Sequence, residues 1–170
     1  SFSSAEFLNA VGLSTPAGEK GFSALEQIWA RPTAEINGIW GGYTGKGFKT
    51  VLPAKAHAKI SFRLVGQQDP EAIRAAFRAH VTSMLPPDCT AEFHSHGSGQ
   101  ATVLPSDDPA FTISAKALSD EWPNPSVFVG GGGSIPIVGL FQSILGMNSV
   151  MIGFGLDDDA IHSPNEKYSL

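Results

Sequence analysis

Residues 56 to 64 constrain the fold more than any other segment, because apolar and polar residues alternate in them without exception. The apolar positions are Ala56, Ala58, Ile60, Phe62 and Leu64, and the intervening positions are His57, Lys59, Ser61 and Arg63. Successive side chains of a β-strand point to opposite faces of the sheet, so this period of two predicts a strand with one apolar and one polar face. Such a strand is typical of an antiparallel sheet that is covered on one side.

Two helices are predicted by the pairs Asp69-Pro70 and Asp108-Pro109. An aspartate side chain accepts hydrogen bonds from the first free N–H groups of a helix, and proline is favoured at the first helical position. The first helix is expected to end before Pro86, and the second is expected to run to about Asp120.

Residues 1 to 104 are predicted to form a two-layer α+β unit, an antiparallel sheet with helices on one face. Besides the alternating strand and the helix after Asp69, the apolar patterns indicate shorter elements. These are helices at 4–11 and 21–30 and strands at 35–40 and 90–96.

The pattern changes after Leu104, and residues 105 to 170 are predicted to form a second unit, with a domain boundary near residues 103–107. An apolar strand at 126–129 precedes a helix that ends at Leu145, before Gly146, and an apolar strand at 149–154 follows. Strand, helix and strand with apolar strands are typical of a βαβ piece of a buried parallel sheet. The expected fold class is therefore α/β and α+β.

The chain of 170 residues carries a net charge of -5, which leaves no basic surface for a nucleic acid partner and disfavours anionic membranes. No apolar run approaches the roughly 20 residues of a membrane span, so a soluble, cytoplasmic protein is expected. The single Cys89 excludes an internal disulfide and zinc sites built from cysteine clusters. The chain lacks an initiating Met and begins inside a predicted helix, as a fragment of a longer protein would.

The glycine run at 130–133, followed by Ser134, lies between a predicted strand and a predicted helix. Free N–H groups at the start of a helix can hold an anion or a developing oxyanion. The alternatives are a tight turn that requires small residues and a role for Ser134 as the helix N-cap. A dinucleotide site is disfavoured because the run does not fit the G-x-G-x-x-G pattern.

His162 lies in an acidic segment, residues 157–166, directly after a predicted strand, where ligands often bind in α/β proteins. A neutral imidazole is a common zinc ligand, and neighbouring carboxylates could orient it; the alternative is a solvated histidine. Arg63 lies on the polar face of the alternating strand and could clamp a carboxylate with two hydrogen bonds. Its alternative is a solvated outer face of the sheet.

Several of these segments together resemble a family. They are Asn37-Gly38-Ile39, Lys49-Thr50-Val51-Leu52-Pro53, Ser61-Phe62-Arg63-Leu64-Val65, Gly132-Gly133-Ser134-Ile135-Pro136 and Ile161-His162-Ser163-Pro164-Asn165-Glu166. In this order and spacing they resemble the co-catalytic zinc exopeptidases, the family of carnosinase, carboxypeptidase G and acetylornithine deacetylase. The dipeptidase branch is the most similar, and the resemblance covers essentially the whole chain.

The resemblance implies that residues 1–104 are most of a lid and dimerisation domain and that residues 105–170 are the C-terminal segment of a catalytic domain. The complete enzyme would be a homodimer that cleaves peptide or amide bonds of small substrates through a zinc-activated water. It would hold two zinc ions, with manganese or cobalt as possible replacements. By the same resemblance His162 is a zinc ligand, and substrate is bound by Arg63, Gly133 and Ser134, with Thr50 on the lid wall that faces the partner's active site.

The sequence departs from the family pattern at important points. The ligand motif His-x-Asp and the Glu-Glu pair with the general base occur nowhere in the chain, so no catalytic residue is expected within it and the general base is expected upstream. Gly131 stands where related dipeptidases carry Glu, which leaves recognition of a free substrate amine open. The alternatives are a non-catalytic dimerisation module and an N-acyl amino acid deacylase.

Overall fold

The computed structural model describes residues 2–131, 135–156 and 158–168. The helices and strands follow in the order α1 (Ser4–Ala10), α2 (Ala24–Trp29), β1 (Thr33–Gly41), β2 (Ala56–Arg63), α3 (Pro70–Met84), α4 (Pro109–Glu121) and α5 (Pro136–Leu145). No helix within the described ranges is both long enough and apolar enough to cross a bilayer.

The strands β1 and β2 pair antiparallel, with Thr33 opposite Arg63 at one end and Trp40 opposite His57 near the other. The register shifts between Ile36 and Gly38, so Asn37 is an extra residue in β1. A bulge of this kind changes which of the alternating positions of the strand face each side of the sheet. The predicted strands at 35–40 and 56–64 are confirmed.

The polar face predicted for β2 is confirmed and is shared with β1. The Trp40 ring stacks on the His57 ring with centroids 5.1 Å apart, and the Lys59 ammonium lies 5.8 Å from the centre of the Trp40 ring. On the opposite face Phe62 meets Phe77 of α3 edge-on, with centroids 5.2 Å apart. A helix therefore packs on the apolar face, and the α+β class is confirmed.

The predicted helix starts at the two Asp-Pro pairs are confirmed. The Asp69 carboxylate accepts hydrogen bonds from the N–H groups of Glu71 and Ala72, at 2.7 and 3.0 Å. The Asp108 carboxylate accepts one from the N–H of Ala110 at 2.9 Å. At the other end of α5, Gly146 adopts the left-handed conformation with φ 63°, which favours glycine because it has no Cβ.

The strand predictions for 90–96, 126–129 and 149–154 were wrong, since the described residues of these segments pair with no neighbouring strand. A strand requires a neighbour whose N–H and C=O groups complete a ladder, and apolar patterning alone does not supply one. Two of these segments bond to helices instead: Arg78 of α3 donates to the Ser95 hydroxyl at 2.7 Å, and the Ser126 hydroxyl donates to the Ala115 carbonyl of α4 at 2.8 Å. The helix α5 of the expected βαβ piece is present.

The helix α5 is tied to the segment that leads into α4. The Gln142 amide donates to the Val103 carbonyl at 3.1 Å, and the Asn148 amide donates to the Asp108 carboxylate at 2.7 Å. A Cβ on Gly139 would lie 2.8 Å from the hydroxyl oxygen of Thr102, so a larger residue here would have to displace the Thr102 side chain. These contacts hold α5 against the segment that leads into α4.

The chain exposes far more surface than a compact protein of its size. Its accessible surface is 13967 Å², whereas a compact monomer of 17.9 kDa should expose about 8000 Å². The strand β2 is exposed along its whole length, although Phe62 on its apolar face meets Phe77 of α3. Buried apolar side chains among the described residues are Leu8, Ala24, Phe111 and Val138.

We expect Asp108→Ala to lower the melting temperature, because the N–H of Ala110 and the amide of Asn148 both lose an acceptor. These hydrogen bonds, the one from Ala110 first, hold the pKa of the Asp108 carboxyl below its ordinary value. A carboxyl with a lowered pKa stabilises the fold above its unfolded-state pKa, and this stabilisation is lost as the pH falls through the folded-state pKa. The difference in melting temperature from wild type should therefore be largest at neutral pH and smallest near about pH 2.

Melting followed by circular dichroism measures this difference, and Asp107→Ala is the matched control. Within the described part of the chain, the Asp107 side chain makes no hydrogen bond or ion pair. Equal losses for the two variants at neutral pH would contradict the capping role of Asp108.

Candidate functional site

Arg63, at the end of β2, lies in a cross-strand cluster on the polar face of the sheet. Its Nε atom is 3.8 Å from a carboxylate oxygen of Glu35, and the Ser61 hydroxyl donates to the other carboxylate oxygen at 3.1 Å. The Thr33 hydroxyl also donates to Glu35. Glu35, Ser61, Phe62 and Arg63 line an open depression of about 180 Å³. The Arg63 side chain is 52% exposed and thus open to an anionic group from solvent.

The pKa of Glu35 is held below its ordinary value, first by the hydrogen bond from Thr33 and then by Ser61 and the charge of Arg63, while burial acts in the opposite direction. Glu35 is therefore a carboxylate at neutral pH, and a substrate carboxylate would have to compete with it for Arg63. The sequence analysis missed Glu35, because only the strand register places it beside Arg63.

Thr50 lies in the connection between β1 and β2 and is exposed. It is the central residue of a tight three-residue turn, in which the N–H of Val51 donates to the Lys49 carbonyl at 2.9 Å. Thr50 precedes β2, whereas Arg63 is the last residue of β2. Both residues are exposed.

Gly133 and Ser134 lie outside the described residues, so their predicted substrate contacts stay a prediction. At the start of the run, a Cβ on Gly130 would lie 2.8 Å from the Cβ of Trp29, so at this position glycine permits close packing against α2. The N-cap of α5 is Ile135, with Pro136 at the first helical position. The alternative that Ser134 is the N-cap is therefore wrong.

His162 lies in a tightly folded segment, residues 158–167, which we name the His162 loop. The loop folds around Asp159, the most buried polar residue described, at 2% exposure. The N–H of Leu156 donates to an Asp159 carboxylate oxygen at 2.7 Å, and the N–H of Lys167 donates to the Asp159 carbonyl at 3.0 Å. Asp159 thereby joins the residues on either side of His162.

The backbone of the His162 loop is left-handed at three residues other than glycine: Ala160 with φ 54°, His162 with φ 63° and Asn165 with φ 64°. Such residues are costly, at about 1–3 kcal/mol each, and persist only where the surroundings hold them. A further hydrogen bond, from the N–H of Ser163 to the Ala160 carbonyl at 2.9 Å, closes a four-residue turn whose third residue is His162. The sequence analysis placed Asp159 within the acidic segment 157–166 but did not show that it is buried.

The imidazole of His162 is exposed, and it makes no hydrogen bond to a carboxylate within the described residues. The predicted orienting role of the neighbouring carboxylates is therefore not observed for Asp158 or Asp159. No group of three or more His, Cys, Asp or Glu side chains that could hold a metal ion occurs in residues 2–131, 135–156 and 158–168. His162 can supply one nitrogen ligand to a metal ion, because imidazole is an ordinary zinc ligand.

Comparison with known proteins identifies peptidases that are similar to this chain. Residues 5–89 match the M20 peptidase dimerisation domain family. The chain is 33% identical over 149 residues to a Cys-Gly metallodipeptidase of Schizosaccharomyces pombe, which covers 86% of this chain and 31% of the relative. It is 27% identical over 154 residues to the human Beta-Ala-His dipeptidase, covering 84% of this chain and 29% of the relative.

Solved structures agree with these relatives. A metallo-carboxypeptidase of the M20 family from Sulfolobus solfataricus superposes with a TM-score of 0.82 at 27% identity, over 98% of this chain and 38% of that one. The di-peptidase Dug1p from Saccharomyces cerevisiae superposes with a TM-score of 0.76 at 32% identity, over 98% of this chain and 35% of that one. The chain thus spans about a third of the length of these relatives. It belongs to the M20 peptidase family, whose dimerisation domain occupies its first half.

Proposed function

We propose that the complete protein is a metal-dependent hydrolase that cleaves dipeptides or closely related small peptides. The observation that carries this proposal is the His162 loop, which holds a histidine with an exposed imidazole in a left-handed backbone. The loop is closed on Asp159, whose carboxylate accepts from the N–H of Leu156 and whose carbonyl accepts from the N–H of Lys167. Its metallodipeptidase relatives support the same chemistry. A strained backbone held in this way is characteristic of functional sites.

Within this proposal His162 is one ligand of a zinc centre, and the remaining ligands and the general base come from other parts of the polypeptide. When bound, zinc activates a water molecule for attack on the substrate carbonyl. The Arg63 guanidinium binds the substrate carboxylate and displaces the weak contact with Glu35, which lies 3.8 Å away. Gly133 and Ser134 contact the substrate, and Thr50 lies on the lid wall facing the partner subunit.

We also propose that the protein is a homodimer associated through residues 5–89. The match to the dimerisation domain family supports this arrangement. Exposed apolar residues on the sheet support it as well, including Ile36 at 65% and Ile39 at 74% exposure, because a stable assembly would bury such residues. A cytoplasmic location stays a prediction from the sequence.

A second candidate function is a non-catalytic dimerisation module. It is favoured by the lack of a three-ligand cluster among the described residues. Sedimentation combined with a dipeptidase assay on the isolated 170-residue chain separates the two properties: we expect association without hydrolysis. The full-length protein should hydrolyse dipeptides faster than N-acyl amino acids; the reverse order would favour the deacylase alternative.

The isolated chain should bind zinc only weakly, because a zinc site needs three or four converging ligands and the chain places one histidine for that purpose. Isothermal titration calorimetry with zinc chloride measures the affinity, and the His162→Ala chain is the matched control. Stoichiometric, tight binding of two zinc ions by the wild-type chain would contradict the expectation.

Arg63→Ala in the full-length enzyme should raise KM by roughly 10-fold to 100-fold, because hydrogen bonds to a charged group contribute about 1.5–3 kcal/mol. The melting temperature should change little, since a half-exposed ion pair such as Arg63 with Glu35 contributes about 0–1 kcal/mol. Steady-state kinetics and thermal melts give both values.

Lys59→Ala is the control for Arg63→Ala, because Lys59 lies on the same polar face of β2. Equal effects of the two variants on KM would show that a general positive charge matters, not the Arg63 clamp. An Arg63→Ala protein that melts much earlier with KM unchanged would make Arg63 a structural residue.

His162→Ala in the full-length enzyme should lower kcat by about 10² or more, because loss of a metal ligand weakens one ion and misplaces the attacking water. The dimer should remain intact, since residues 5–89 are separate in sequence from the loop. Turnover, metal content per subunit and sedimentation are the measurements. Turnover close to wild type with full metal content would refute the assignment.

A further inference from the structure

The most buried polar group described, the Asp159 carboxylate, has no role in the reaction proposed above. Asp159 is 2% exposed, and its Oδ1 atom accepts no hydrogen bond from any described residue. The Lys167 ammonium lies 3.6 Å from Oδ1, too far for a hydrogen bond but close enough for charge attraction. Burying a carboxylate costs free energy unless the charge is paired. The burial of Asp159 therefore indicates a structural role.

That role is to hold the conformation of the His162 loop. The Asp159 side chain accepts from Leu156 before the loop, its carbonyl accepts from Lys167 at the end, and its own N–H donates to the Leu156 carbonyl at 3.1 Å. The loop therefore closes on a single residue. Between these bonds lie the left-handed residues Ala160, His162 and Asn165.

Gly155, the residue before Leu156, also lies against the closed His162 loop. A Cβ added to Gly155 would lie 3.4 Å from Ile161 and 3.8 Å from the nearer Asp159 carboxylate oxygen. The backbone at Gly155 thus lies directly against the side chains inside the loop. The Asp158 side chain, in contrast, is 75% exposed and contacts only the Lys167 ammonium, at 2.9 Å, among the described residues.

We propose that Asp159 is a positioning residue for His162: by joining Leu156 to Lys167 it holds the left-handed backbone from which the metal-binding imidazole is presented. This proposal rests on the proposed function, in which His162 binds the metal. Asp159 acts through the backbone and touches neither metal nor substrate. Residues that orient a metal ligand typically change metal affinity by about 10-fold to 100-fold when they are replaced.

The test uses the full-length dimer stripped of metal, with zinc affinity measured by competition with a chelator. Asp159→Ala should weaken zinc binding by about 10-fold to 100-fold, whereas the control Asp158→Ala should change it by less than about threefold. Amide hydrogen exchange of the metal-free protein gives a second readout. Exchange of peptides covering residues 155–168 should accelerate in Asp159→Ala and not in Asp158→Ala.

Asp159→Asn distinguishes the hydrogen bond from the charge. An asparagine can still accept from the N–H of Leu156 but loses the attraction to Lys167, so its zinc affinity should lie between those of wild type and Asp159→Ala. If Asp159→Ala does not give a folded dimer, Asp159→Asn decides: a zinc affinity equal to that of Asp158→Ala would overturn the proposal.

His162→Ala separates this inference from the proposed function. If His162→Ala leaves zinc affinity unchanged, the proposed metal site is wrong. If His162→Ala weakens zinc binding while Asp159→Ala leaves both affinity and exchange at wild-type values, only the positioning role of Asp159 is overturned. Faster exchange in Asp159→Ala with unchanged zinc affinity would also overturn it, because the closed loop would then be irrelevant to the ligand.

Discussion

The antiparallel pairing of β1 with β2 is the interaction on which the first half of the structure depends. It joins segments separated by the exposed connection that carries Thr50, and it places Glu35 within reach of Arg63 and Ser61. The same pairing turns Phe62 toward Phe77 of α3, which gives the helix its place on the sheet. A two-stranded sheet is marginal alone, so the helix contact and any further partner surface contribute to its stability.

The large accessible surface shows that the pairing of β1 with β2 does not by itself bury the apolar residues of the sheet. The described residues bury few apolar side chains completely, and both β1 and β2 keep large apolar residues in contact with solvent. The hydrophobic effect contributes about 25 cal/mol for each Å² of apolar surface removed from water, so covering this surface would stabilise the fold considerably. The proposed dimerisation through residues 5–89 would cover part of such a surface.

The two parts of the candidate site are held by different means. The Arg63 cluster depends on two strands that are distant in sequence, and its ion pair with Glu35, at 3.8 Å, is half-exposed. The His162 loop depends on contacts within about a dozen residues, and its central carboxylate is buried. In the proposed function, the substrate clamp Arg63 would exchange its partner Glu35 for substrate, whereas the metal ligand His162 would require a fixed backbone.

The sequence by itself determined the elements whose cause is local. The alternation at 56–64 predicted both faces of β2, and Asp69 and Asp108 with their following prolines predicted the starts of α3 and α4, because capping involves only neighbouring N–H groups. The order of its motifs also indicated the family before any comparison. The apolar runs at 90–96, 126–129 and 149–154 show the limit of such patterns, since a strand also needs a partner.

Only the tertiary structure decided which residues meet. The bulge at Asn37 shifts the alternation of β1 so that Glu35 and Trp40 share the polar face of β2, and no periodicity in the sequence shows that shift. The burial of Asp159, and not of Asp158, likewise follows from how the chain turns at Ala160 and His162. Residue types and spacing specify local hydrogen bonds, but register and burial depend on contacts between segments, and these exist only once the chain has folded.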